Sequence, residues 1–183
     1  MASNNLGKVF ERNFGSSSKK DGFFTYRIKD TDLSFNGNSV SSFTTNNLCD
    51  YFIFANIENE RGNLFCIECK STGYPSMSIE TEPEKKEKKM IKAHQLEGLI
   101  EVSLNEGMYG GFVLNFRDDD SGTEETYYMS AKDMSIFLAE THKKSINKID
   151  CKLRGIKIEQ TLKRKYYDYN VKKMIEDIVK RRE

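Results

Sequence analysis

Glu68 and Lys70 stand two residues apart near the end of the apolar run 64–70 (LFCIECK). In an extended chain such residues share a face, so carboxylate and ammonium point the same way, together with Leu64 and Cys66, while Ile67 and Cys69 point the other way. A charged pair on a strand that begins apolar must be either solvated or paired. The run 49–55 (CDYFIFA) reads as a neighbouring strand, joined through the polar turn 56–63, and it brings a second carboxylate, Asp50, to the same hairpin. Two carboxylates suit a hard cation such as Mg²⁺, which takes few protein ligands and keeps several waters. A cation held there lowers the pKa of a bound water and neutralises charge building on a phosphodiester. A lysine beside it can orient the attacking water or stabilise the transition-state charge.

Other groups offer weaker chemistry. Cys66-x-x-Cys69 has zinc-knuckle spacing, but residues three apart on a strand face opposite ways, and no second pair completes four ligands. His94 and His142 have no identifiable nucleophile beside them. Asp118-Asp119-Asp120 lacks the spacing and terminal Glu of a calcium loop and reads as a solvated turn. No Gly-rich loop follows a strand, so no nucleotide cofactor is expected. The aromatic run 166–169 (YYDY) beside Lys163-Arg164-Lys165 could stack on unpaired bases, although half-buried aromatics closing the fold are the better reading.

The elements that must position these residues are legible along the 183-residue chain, which is 37% hydrophobic and 11% aromatic. One domain over 1–183 is expected, with 146–183 as a candidate C-terminal helical extension. A helix over 6–14, capped by Asn4 or Asn5, would bury Leu6, Phe10 and Phe14 and carry Glu11 at the edge of that stripe. Strands follow at 23–29, 49–55 and 64–70. A helix over 90–105 with Gly107 at its end carries Gln95. Strands at 110–116 and 126–129 come next, then a helix opened by Ser130 and Asp133 and reaching Thr141. An edge strand at 156–162 and an amphipathic helix over 170–182 close the chain. The order describes an α/β fold, a mixed central β-sheet flanked by helices. Segments 36–47 and 80–89 read as loops.

Net charge is +1, from 29 basic and 28 acidic residues, but the charge is segregated. Residues 1–30 carry +3, 83–96 carry +3, 97–130 carry −7 and 131–183 carry +7. Such a chain can present a basic face to a polyanion while its total stays near zero. No apolar run approaches the roughly 18–20 residues needed to span a bilayer, so no membrane partner is expected. Residues 1–5 lack the pattern of a secretory signal, and the four cysteines make no disulfide framework, which points to reduced thiols in a cytoplasm.

The ordered segments GKVFERNF (7–14), IECKST (67–72), IKAHQLEGL (91–99), GGFVLNFR (110–117) and TYYMS (126–130) together resemble the RecU family of Holliday junction resolvases, of the PD-(D/E)XK nuclease superfamily. The resemblance covers roughly residues 6 to 140 and is of a phage or Gram-positive type. It implies a restriction-endonuclease-like fold and a homodimer in a bacterial cytoplasm that cuts four-way DNA junctions by paired symmetric nicks, using Mg²⁺ or Mn²⁺. Carried over by position, it makes Asp50 and Glu68 metal ligands and Lys70 the catalytic lysine. Glu11 becomes a further metal-site carboxylate and Gln95 a helix residue reaching the site. Lys8, Lys19, Lys20, Lys85, Lys86, Lys88, Lys89 and Lys92 would contact DNA phosphates. Two features depart from the family. Leu48-Cys49 stands where a threonine usually precedes the aspartate, and 31–47 is short for the projecting stalk. A non-catalytic DNA-binding protein on the same fold, or a nuclease for flaps, ends or duplex sites, is the alternative.

Overall fold

In the hairpin that carries the chemistry, strands β2 (Tyr51–Ala55) and β3 (Asn63–Thr72) pair antiparallel with Tyr51 opposite Ile67 and Phe54 opposite Leu64. A computed structural model describes residues 6–28, 47–57, 62–81, 88–118 and 121–181. Around that hairpin lie β1 (Phe24–Arg27), β5 (Met108–Asp118), β6 (Thr123–Ser130) and β8 (Ile156–Ile158), in the sheet order β1-β2-β3-β5-β6-β8. All neighbours are antiparallel except β3 and β5, which run parallel. Their connection passes through the short strand β4 (Ser76–Ser78) and helix α2 (Ala93–Val102), as a parallel pair requires a crossover. A mixed central sheet flanked by helices is therefore the architecture.

Both faces of β3 are covered, which explains its nearly continuous apolar sequence. Phe65, Ile67 and Cys69 join one core with Phe10 and Phe14 of α1 (Leu6–Lys20) and with Val171, Met174 and Ile175 of α5 (Val171–Lys180). Cys66 joins the other core, with Leu99 of α2, Phe112 and Leu114 of β5, and Met134 and Phe137 of α3 (Ala131–Thr141). Ser130 caps α3 as expected, its hydroxyl accepting from the Asp133 amide at 3.0 Å.

Several boundaries differ from the sequence expectation, each for a local reason. Helix α1 continues through Gly15-Ser16-Ser17-Ser18 to Lys20. Ser16 and Ser17 donate back to the Arg12 and Asn13 carbonyls at 2.8 and 3.0 Å, so polar side chains that often end helices are satisfied within this one. Gly15 lies against the Tyr51 ring, where a Cβ would come within 2.6 Å of the hydroxyl. Leu6, expected in the buried stripe, is 45% exposed. Helix α2 is shorter than 90–105, because Ile91 forms a bridge with Ile79 before the helix begins.

The expected single strand at 156–162 divides in two. β8 pairs with β6, and β9 (Gln160–Lys163) leaves the sheet to pair with β10 (Tyr166–Tyr169). Strand β7 (Ser145–Asn147), which pairs with β4, and helix α4 (Lys148–Arg154) were also not anticipated. Segment 146–181 is thus built into the fold: β8 is an edge strand of the central sheet and α5 buries five side chains. Asn4, Asn5, most of 36–47, most of 80–89 and Asp119-Asp120 lie outside the described residues.

The crossover leaves no room at one point. A Cβ on Gly110 would meet the Leu99 carbonyl oxygen at 2.1 Å, backbone against backbone. Gly110→Ala must therefore push α2 off β5, and we expect it to lower the unfolding free energy by about 1–3 kcal/mol in urea titrations.

Candidate active site

Tyr51 and Ile67 form the last regular pair between β2 and β3. Past it, the Asp50 amide still donates to the Ile67 carbonyl at 3.0 Å, and the Asp50 carbonyl accepts from the Ile28 amide at 2.9 Å. The next amide of β3 is taken by a side chain: Cys69 N–H donates to Asp50 Oδ2 at 2.7 Å. Asp50 is therefore held by backbone on both sides and by its own carboxylate, at the mouth of the gap where the strands part.

Glu68, two residues before Lys70 on β3, is 4% exposed. Its Oε1 accepts from Gln95 Nε2 at 2.6 Å and pairs with Lys70 Nζ at 2.7 Å. Burial pushes the Glu68 carboxyl up to about 7, and the negative charge of Asp50 adds to that; the Lys70 ammonium and the Gln95 amide pull it back only in part. Gln95 is fixed from the other end too, because its Oε1 accepts from the Lys92 amide at 3.2 Å in the first turn of α2. One side chain thus closes the helix start and holds Glu68.

Glu11 approaches from the opposite layer, on α1. Its Oε2 accepts from Arg27 at 2.8 Å, and the Tyr51 hydroxyl donates to its backbone carbonyl at 3.0 Å. Burial raises its pKa, the neighbouring Asp50 charge adds to the rise, and Arg27 and Lys70 oppose it. Arg27, from a different element, is thus a partner of Glu11. Period two along β1 carries the signal: Thr25 and Arg27 share the face turned to α1, where Ser18 and Thr25 hydroxyls meet at 2.7 Å.

Asp50, Glu68, Lys70, Gln95 and Glu11 are thus assembled at one place from two strands and two helices. The Asp50 charge raises the cost of ionising both Glu11 and Glu68, which a cation would relieve, and the donor atoms are the hard oxygens that Mg²⁺ takes. Among the described residues, no group of three or more His, Cys, Asp or Glu side chains is gathered at ligating range. The three-carboxylate set expected of a metal site is therefore not gathered at ligating range, and Glu11 is turned to Arg27.

The lysines are dispersed. Lys8 and Lys19 are exposed on α1, and Lys20 is paired with Asp168. Lys88 is exposed and Lys89 half-buried, while Lys92 pairs with Glu80 at 3.2 Å. Lys85 and Lys86 lie outside the described residues. Among the described residues, no helix is long and apolar enough to cross a membrane.

No protein-family model and no curated protein matches the chain. Among solved structures it is similar to Archaeoglobus fulgidus Hjc, a Holliday junction resolvase from an archaeal hyperthermophile. The similarity has a TM-score of 0.48 and 20% identity over 82% of this chain and 95% of that one.

The Glu68 environment gives the metal-free protein one pH-dependent contribution to stability. A carboxyl raised from 4.5 to about 7 on folding contributes its stability in full below pH 4.5, and that contribution is lost as pH rises from 4.5 through 7. Glu68→Gln removes that ionisation. Its stability relative to wild type in urea should therefore improve steadily from pH 4.5 to 7.5, by about 1–3 kcal/mol in total. A difference that does not change with pH would contradict the buried-carboxylate reading.

Proposed function

We propose that the chain is a metal-dependent, structure-selective DNA endonuclease of the resolvase type, cutting four-way junctions by paired symmetric nicks. The observation that carries this reading is the meeting of Asp50, Glu68 and Lys70 at the splayed end of β2 and β3, with Gln95 bonded to Glu68. A parallel β3–β5 pair within a mixed sheet covered by helices agrees with the restriction-endonuclease-like fold that the RecU resemblance implies.

A bound Mg²⁺ or Mn²⁺ supplies charge neutralisation and a water of lowered pKa. Asp50 and Glu68 would hold it through their oxygens. Lys70, on the same strand face as Glu68 and only partly exposed, places its ammonium where negative charge grows on the attacked phosphate. Gln95 fixes the rotamer of Glu68, and Glu11 offers a carboxylate that can orient water from the α1 side. Two copies related by a two-fold axis would place one such site on each of two opposed strands, as symmetric nicking requires. Exposed lysines including Lys8, Lys19 and Lys88 would contact phosphates, making affinity fall with salt. Nothing in this set reads bases, so shape governs recognition. The resemblance further implies a phage-encoded or Gram-positive enzyme working in a bacterial cytoplasm.

The test is cleavage of an end-labelled synthetic four-way junction with Mg²⁺, beside flap and linear duplex controls. Wild type should give paired symmetric nicks that EDTA abolishes. Asp50→Asn and Lys70→Ala should each cut at least about 100-fold more slowly while still binding the junction. Junction binding without cleavage in Mg²⁺ or Mn²⁺ would replace the enzyme reading with a DNA-binding protein on the same fold. Preference for flaps or duplex ends would move the substrate elsewhere in the superfamily.

A further inference from the structure

The β9–β10 hairpin stands apart from the central sheet, and its two ends differ sharply. Its base is fixed. Tyr169 is 3% exposed and packs edge-on against Phe10, with ring centroids 5.6 Å apart. Its hydroxyl donates to Glu124 at 2.6 Å and its amide to Ser17 at 3.0 Å. Gln160 donates to the Glu124 carbonyl at 2.9 Å, and Asp168 pairs with Lys20 and accepts from Ser17.

The tip is the reverse: residues 161–166 (TLKRKY) are all exposed, with Leu162 at 61% and Tyr166 at 52%. Lys163 and Tyr166 are cross-strand partners, so Arg164 and Lys165 alone make the turn. Two-residue hairpin turns ordinarily use Asn, Asp or Gly at positive φ. Here neither turn residue has positive φ, since His142 is the only non-glycine that does among the described residues. Arg-Lys is a poor choice for making a turn, and three consecutive cations at the end of a rigid ribbon repel one another. Their cost falls when an external polyanion shares their field.

We propose that this hairpin is a phosphate-backbone clamp for a duplex arm of the DNA, with Lys163, Arg164 and Lys165 as the gripping cations. Tyr166 faces Lys163 across the hairpin at the start of the turn. The inference rests on the nuclease reading above and adds a contact surface to it. The geometry suits an arm running along α1. From Glu11 to the Lys20 that anchors the hairpin is nine residues of helix, about 14 Å, or about four base pairs of B-form rise. Lys19, exposed beside Lys20 in the last turn of α1, adds a further cation at that end of the helix.

The experiment measures binding of wild type in EDTA to a four-way junction and to a linear duplex across a salt series. It is repeated for Lys163→Gln/Arg164→Gln/Lys165→Gln and for a matched triple, Lys148→Gln/Lys152→Gln/Lys157→Gln, around Glu125 on the other side of the sheet. The hairpin triple should lower the slope of log affinity against log salt by about 3, one per lost phosphate contact, and weaken binding at least about tenfold on both DNAs. The matched triple should leave the slope within about one unit of wild type. Arg164→Gln alone, which spares the paired strands, should lower the slope by about 1 and serves if the triple does not melt like wild type. An unchanged slope in the hairpin variants, or an equal loss in the matched triple, overturns the clamp while leaving the nuclease reading intact. If wild type itself binds neither DNA, the clamp and the nuclease reading fall together, and the failure is visible before any variant is compared.

Discussion

The backbone amide of Cys69 needs a hydrogen-bond acceptor, and the manner in which it finds one shapes the candidate site. In the register that pairs Tyr51 with Ile67, continuing the ladder would set residue 49 against residue 69. The chain does not continue it. The Asp50 carboxylate accepts from Cys69 instead, and Cys49 turns into the second core, where it lies 1% exposed beside Cys66. A buried amide without a partner costs on the order of 1–3 kcal/mol, so the side-chain bond is what allows β2 and β3 to part inside a covered sheet. Beside that point on β3, Glu68 bonds to both Lys70 and Gln95.

Once the strands part, the two helical layers supply the remaining groups through contacts that also hold the helices. α1 is tied to β2 by the Tyr51 hydroxyl on the Glu11 carbonyl, in the turn whose side chain faces Arg27. α2 is tied to β3 by Gln95, which also completes its own first turn. Neither helix can shift without disturbing a carboxylate. Farther along the sheet the same economy recurs: half-buried Ser71 and buried Asn115 and Thr126 form a hydrogen-bonded row across β3, β5 and β6. Such rows pin strand register, because a slip would leave each member unsatisfied.

The electrostatics of the site oppose folding in the absence of a cation. Glu68 is buried beside Asp50, and a single ammonium does not restore its ordinary acidity. The stability given up there is offset by the two apolar layers, whose largest side chains, among them Phe14, Phe65, Phe112 and Phe137, are fully buried. Carboxylates held at such a cost are a common mark of sites arranged for chemistry.

The strand pair bearing Asp50 and Glu68-x-Lys70, the helix bearing Gln95, the Ser130 cap and the mixed α/β order were all legible in the sequence. These depend on period, composition and caps, which act over a few residues. Local rules failed where a distant partner decided the outcome. Gly15-Ser16-Ser17-Ser18 reads as a break, yet it stays helical because Tyr51 packs on the glycine and Tyr169, Asp168 and Thr25 satisfy the serines. Leu162 reads as the end of an edge strand, yet the chain bends after Ile158 because Gln160 and Tyr169 are drawn to Glu124. Glu11 pairs with Arg27 because β1 lies beneath α1, a fact that helical spacing does not contain. The sequence by itself determined which residues are the candidates for chemistry and which strand or helix each stands on or beside. Only the tertiary structure decided that Asp50 leaves its ladder, that Glu68 is buried, and that two opposite layers close on one gap, because those depend on hydrogen bonds and desolvation between segments far apart in the chain.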